Sequence, residues 1–230
     1  MKLTLRNNFI IFLIISNLYV KMVAATKNRE IILISFFTAL TAIGAYTKIP
    51  LFHIPITLQT FFVIMSGNIL GFKFGSISQI LYLALGMLGI PIFAYGGGPG
   101  YVFQPTFGYL LGYPFGAFTI GILLRLFLSR SKNMNRSRKK MFLIFFVSDI
   151  IGVMIIFIFG LAYLYINLKS GLYLRLDQFT ATNLNWVDSI KAVILIFIPI
   201  DLVKAFLASW LTISLKKSVF NSIDLLRNGM

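Results

Sequence analysis

The sequence predicts an all-α integral membrane protein of six transmembrane helices, with both termini on the cytoplasmic side. Three observations carry that prediction. The 230-residue chain is 58% hydrophobic with a mean hydropathy of +0.89, the composition of a membrane-embedded chain. Its long apolar runs are separated by short polar or proline-bearing connections and leave no room for a separate soluble domain. Its 21 Lys and Arg, against 6 Asp and Glu, cluster where apolar runs end. That placement orients helices in a bilayer and argues against nucleic acid as a partner.

Taken in order, the first apolar run is Phe9–Val20, 12 residues behind Lys2 and Arg6. It reaches about 18 Å, short of the ~30 Å hydrocarbon core. It reads as a signal-like segment with Ala24 and Ala25 near a cleavage point, although Lys21 interrupts it. The sequence also allows translation to start at Met22. Residues 1–21 are therefore set apart as an N-terminal extension, and residues 22–230 form the membrane domain.

The first span is Ile31–Thr47, in which Ser35, Thr38, Ala39, Ala42 and Ala45 fall at helical spacing. Small residues of this kind let another helix approach closely, either within the bundle or from a partner subunit. Lys48–Thr57 is a proline-punctuated connection. It holds His53, the sole histidine, which without cysteines or paired carboxylates is a poor metal ligand. Leu58–Leu70 and Phe72–Ile90 are the second and third spans, separated by a tight turn. Phe107–Leu128 is the fourth, Phe142–Leu168 the fifth and Ile190–Leu215 the sixth.

Between the fourth and fifth spans lie Arg125, Arg130, Lys132, Arg136, Arg138, Lys139 and Lys140, with no acid among them. This is a cytoplasmic loop by the positive-inside rule, placed to meet anionic membrane lipid. With six spans, 14 cations fall on the side of the termini and four on the other.

The stretch Gly89–Phe115, GIPIFAYGGGPGYVFQPTFGYLLGYPF, has four of the seven prolines, a dense set of glycines and no charge. Irregular backbone cannot face lipid, because each unpaired N–H or C=O there costs several kcal/mol. The stretch is therefore packed in protein or lines a wet cavity, at the outer face. Phe93, Tyr95, Tyr101, Phe103 and Tyr109 would give flat apolar walls, so it reads as the lid and side of a pocket for a small, partly apolar molecule. A tight turn between two helices is the alternative.

Two charges lie near the middle of the sixth span. Asp201 and Lys204 share a helix face, just after Pro199. Each charge costs about 2.5–3.5 kcal/mol at the bilayer centre, so such residues face inward and pair. One reading is a salt bridge that ties the helix to the bundle. The other is a clamp with one acceptor end and one donor end, which matches a cyclic urea. Asp149, in the fifth span, lies away from this pocket and reads as a helix-pairing residue. No Ser/His or Cys/His pair can be assembled, since the sole histidine is in a loop and cysteine is absent. GGGPG lacks the ending of a phosphate loop. No enzyme, metal site or cofactor is expected.

The run GAYTKIPLFHIPITLQTFFVIMSGNILGFKFGSISQILYLALGMLGIPIFAYGGGPGYVFQPTFGYLLG resembles the BioY family, the biotin-specific substrate-binding (S) components of energy-coupling factor (ECF) transporters. IPIDLVKA in the sixth span is similar to that family's second marker. The resemblance spans Glu30 to Lys216. It implies the ECF S-component fold in the bacterial cytoplasmic membrane, and biotin bound from outside with high affinity. Asp201 and Lys204 match residues that contact the biotin ring system. Tyr95, Gly96, Gly97, Gly98 and Tyr101 match a lid, Gln104 and Tyr109 stand on its flank, and Tyr46 and Gln59 fall on the opposite wall. The small-residue face of the first span would dock a transmembrane coupling subunit, which carries two ATP-binding cassette ATPases that hydrolyse the ATP. An S component for a different vitamin is the alternative. Phe107, where glycine is common, and the longer cytoplasmic loop depart from the family pattern.

Overall fold

The computed structural model describes residues 28–49, 55–129, 138–170 and 186–215. The Phe9–Val20 run, Met22, His53 and the basic residues between 130 and 137 lie outside these.

The described residues form helix α1 (Arg29–Tyr46), strands β1 (Lys48–Ile49) and β2 (Ile56–Thr57), and helix α2 (Gln59–Met87). A short 3-10 turn (Pro99–Phe103) follows, then helices α3 (Phe107–Ser129), α4 (Arg138–Ser170) and α5 (Trp186–Ser214). The five α-helices are each long and apolar enough to cross a membrane. The chain is a multi-pass membrane protein, predominantly helical as expected from composition. One feature of the first connection was not foreseen: β1 and β2 pair antiparallel, Lys48 opposite Thr57.

The second and third spans read from the sequence are the two arms of α2. Gly71 has φ 74° and ψ −174° inside that element, a conformation open to glycine and costly for other residues. The chain reverses there. Gln59 donates to the Tyr82 hydroxyl at 2.7 Å although the two are 23 residues apart; a straight helix would separate them by roughly 35 Å. Gln79 likewise donates to Ser66 at 3.2 Å. The α2 arms therefore lie against each other, and the Gly71 turn is at the opposite end of the bundle from the loop that follows Met87.

Close helix approach elsewhere comes from glycine. Gly108, Gly112 and Gly116 recur every fourth residue along α3, and a methyl at any of them would run into α4 at Tyr163, Ile156 or Gly152. This small-residue ridge brings the two backbones together, as expected where lipid tails remove the hydrophobic drive for helix pairing. Two apolar clusters fill the bundle. One, with Phe93, Tyr101 and Tyr113, lies beneath the loop after α2. The other, with Leu33, Leu70, Leu124, Met141 and Leu215, joins the opposite end.

Near that second cluster, three helices meet at a polar node. Asp149 of α4 accepts from Ser209 of α5 at 2.6 Å and from Asn68 of α2 at 3.2 Å, and it is fully buried. Asp149 therefore ties three helices together, as its sequence position suggested.

Gly121 of α3 packs on the turn itself, where a Cβ would overlap the backbone of Gly71 and Phe72. Backbone cannot move aside cheaply, and overpacking of this kind costs about 1–3 kcal/mol. Gly121→Ala is expected to lower the thermal midpoint in detergent by several degrees. Gly100→Ala, where an added methyl meets nothing within 4 Å, is expected to leave it unchanged.

Candidate functional site

Between Leu88 and Thr106 the chain crosses the end of the bundle as a loop with little regular structure. Gly96 (φ 113°) and Gly98 (φ 99°) make its sharp turns, and Phe93 exchanges both backbone hydrogen bonds with Gly96, at 2.8 and 3.1 Å. The Phe93 ring closes over Gly86, packed between Tyr82 (5.3 Å) and Tyr101 (4.6 Å).

Such a loop leaves carbonyls without helical partners, and side chains from four elements supply the donors. Tyr46 at the end of α1 donates to the carbonyl of Pro91. Lys48 of β1 donates to that of Ala94 at 2.5 Å, and Tyr82 of α2 to that of Ile92 at 3.0 Å. Tyr163 of α4 donates to the carbonyl of Val102. The Lys48 ammonium also lies 4.8 Å from the centroid of the Tyr95 ring. Behind Tyr82, Gln59 is engaged at both ends: its amide nitrogen donates to Tyr82, and its oxygen accepts from Thr57 at 2.9 Å.

Under this loop is a small cavity lined from β2, the loop itself and four of the five helices. Thr57, Gln59 and Thr60 line it from β2 and the start of α2, and Ala94, Tyr101 and Thr106 from the loop. Tyr109 and Tyr113 face it from α3, Phe157 from α4, and Phe197, Asp201 and Lys204 from one face of α5.

At the floor Lys204 Nζ donates to Asp201 Oδ1 at 2.5 Å, with the two residues only 7% and 5% exposed. Neither charge is solvated by bulk water, so the pair holds its geometry in a low-dielectric setting where charge-assisted bonds are strong. An ammonium has three donors and a carboxylate about four acceptor positions, so one mutual bond leaves both able to bind a ligand. The Tyr109 hydroxyl is buried and has no hydrogen-bond partner among the described residues. The cavity thus offers a donor–acceptor pair at one end and Tyr101, Tyr113, Phe157 and Phe197 as apolar walls. It suits a small molecule with a hydrogen-bonding ring and an apolar body.

Of the residues singled out in the sequence, Asp201, Lys204, Tyr101, Tyr109 and Gln59 come together in this lining. Tyr95, Gly96, Gly97, Gly98 and Gln104 remain in the loop above it, outside the lining, and Tyr46 reaches the loop backbone. The loop tyrosine Tyr101 is pushed above the ordinary phenol pKa by burial, so it stays a neutral hydroxyl. Sequence reasoning passed over Thr57, Thr60, Thr106, Tyr113, Phe157 and Phe197. Two of these carried a signal: Tyr113 is one helical turn from Tyr109, and Phe197 one turn from Asp201.

The small-residue face of α1 is divided. Thr38 and Ala45 are buried, with Thr38 donating to the Ser78 carbonyl at 2.9 Å, and Ala42 is half-buried. Ser35 and Ala39 are exposed, in line with Ile31 and Ile43.

The chain is similar to several named proteins. A protein named probable biotin transporter BioY, from Lysinibacillus sphaericus, is 37% identical over 171 residues, covering 74% of this chain and 82% of that protein. The biotin transporter BioY of Thermotoga maritima is 34% identical over 180 residues, covering 76% of this chain and 96% of its own. A crystal structure of the S-component for biotin from an ECF-type ABC transporter superposes with a TM-score of 0.63 at 27% identity, covering 84% of this chain and 94% of that one. The sequence profile of the BioY family matches residues 18–221, and the chain belongs to that family.

Proposed function

We propose that this protein is the membrane-embedded, biotin-binding S component of an ECF transporter, taking up biotin from outside a bacterial cytoplasmic membrane. The observation that carries the reading is the Asp201–Lys204 pair on the floor of a capped, aromatic-walled cavity. Biotin's ureido ring has N–H donors for the carboxylate and a C=O acceptor for the ammonium. Its thioether ring and aliphatic chain suit Tyr101, Tyr113, Phe157 and Phe197, and the unpaired Tyr109 hydroxyl would take up a further polar atom of the ligand. The names of the relatives and of the matching crystal structure point the same way.

In this reading both arms of α2 cross the bilayer, making six passes. The start of α1 and the end of α5 then lie on the cytoplasmic side with the Gly71 turn, in keeping with the placement of the cations. The loop over the cavity faces outward. The exposed line Ile31–Ser35–Ala39–Ile43 on α1 would meet the coupling subunit, while Thr38 and Ala45 pack inward. The protein itself hydrolyses nothing; two ATPases on the coupling subunit supply the energy. Ligand binding shifts a conformational equilibrium only through its differential affinity, so biotin closing the loop would favour the form that docks.

Isothermal titration of biotin into the detergent-purified protein tests the assignment. Tight binding is expected in the wild type. Asp201→Asn and Lys204→Ala are each expected to weaken it by about thirtyfold or more, the effect of removing one partner of a buried charged contact. A folded wild type that ignores biotin would rule the assignment out and direct the search to other vitamins. The Tyr82 hydroxyl bridges Gln59 and the loop carbonyl of Ile92, and each buried group left unpaired costs about 1–3 kcal/mol. Tyr82→Phe is therefore expected to speed release of labelled biotin by roughly fivefold or more. Unchanged release would mean that this bridge does not hold the loop shut.

A further inference from the structure

The cavity does not use the polar node at the other end of the bundle, and hydrogen bonding there is incomplete in an informative way. Asp149 is fully buried and Asn68 is 3% exposed. Asp149 Oδ2 accepts from both Ser209 Oγ (2.6 Å) and Asn68 Nδ2 (3.2 Å). Asp149 Oδ1 and Asn68 Oδ1 are buried without any partner among the described residues. Both orphans are acceptors, so what the node lacks is a donor.

Among the described residues no cation pairs with Asp149: the ion pairs there are Arg29–Glu30 and Asp201–Lys204. The groups that hydrogen-bond it, Asn68 on α2 and Ser209 on α5, do not titrate. An isolated carboxylate in this position would be an uncompensated charge inside a lipid-embedded bundle, which is strongly disfavoured. Exchanging the O and N of the Asn68 amide, whose two ends have nearly the same shape, does not help. In either orientation one carboxylate oxygen faces the amide oxygen, and only a proton between them makes that contact a hydrogen bond.

We propose that Asp149 is a proton-binding site: it carries a proton on Oδ1 and donates it to Asn68 Oδ1. With the bond from Asn68 Nδ2 to Asp149 Oδ2, this closes the cyclic pair that a carboxylic acid forms with an amide. One proton then satisfies both orphaned oxygens, leaves Oδ2 to accept from Asn68 and Ser209, and removes the buried charge. The α2–α4–α5 junction is held by neutral hydrogen bonds alone, and the ionised aspartate is reserved for the cavity, where Lys204 compensates it.

Infrared spectroscopy of the full-length purified protein reads this directly and needs no ligand. At neutral pH the wild type is expected to show the C=O stretch of a protonated carboxyl, shifted on deuteration. The band is expected to disappear in Asp149→Asn and to persist in Asp201→Asn. Carbon-13 labelling of aspartate side-chain carboxyls in the wild type should move the same band, so the test survives if a variant folds poorly. Asp149→Asn replaces the acid with a neutral amide that has a donor in the same place, and it is expected to fold and to bind biotin as the wild type does. A wild type without that band, showing only ionised aspartate, would overturn the proposal. So would a stabilisation by sodium that Asp149→Asn abolishes, since a monovalent cation would then occupy the place given to the proton.

Discussion

Backbone hydrogen bonding in the segment from Leu88 to Thr106 is the constraint on which the arrangement at this end of the molecule depends. A chain that abandons helix within a membrane bundle must find a partner for each buried carbonyl or pay several kcal/mol for it. Here Tyr46, Lys48, Tyr82 and Tyr163 provide donors from α1, β1, α2 and α4. The loop is thereby fastened to most of the bundle, and its conformation follows the relative positions of those elements. Helices α2 and α4, which hold the loop, also line the cavity beneath it.

Electrostatics divides the interior in two. Beneath the loop, Asp201 and Lys204 are held 2.5 Å apart in a setting where the attraction between them roughly offsets the cost of desolvation. Such a pair adds little to stability and keeps strongly directional donors and acceptors facing a cavity. At the far end, Asp149 has no ion-pair partner among the described residues and accepts from Asn68 and Ser209. The ridge Gly108–Gly112–Gly116 and the Gly71 turn supply the close backbone approach that holds both regions together.

Much of this was legible in the sequence, for identifiable reasons. Runs such as Phe142–Leu168 are long enough that hydropathy alone fixes a helix, and α4 covers that range. Charges inside an apolar run are conspicuous because lipid penalises them, and Asp201 and Lys204 do sit together in the cavity. The break at Gly71 was visible as a glycine between two apolar segments. Other features have only weak signals. A two-residue ladder between Lys48–Ile49 and Ile56–Thr57 is too short for alternation to register. Thr57, Thr106 and Phe157 meet only through tertiary structure, and nothing local marks them. The spacing of glycines on α3 was readable, but in a stretch where glycine also makes loops the helical repeat was overshadowed. The small residues of α1 illustrate the opposite limit: composition located them, while only packing separates inward Thr38 and Ala45 from outward Ser35 and Ala39.

The central claim is that the Asp201–Lys204 pair serves ligand recognition and is dispensable for folding. The most direct measurement is the biotin-dependent shift in thermal midpoint of the double variant Asp201→Leu/Lys204→Met, beside the wild type. Replacing a buried pair by apolar residues of similar size is often neutral or stabilising, whereas a ligand that binds only the native state raises the midpoint in proportion to its affinity. The double variant is predicted to keep or exceed the unliganded midpoint of the wild type and to lose the shift with biotin. A double variant that unfolds, or one that retains the full shift, would contradict the claim.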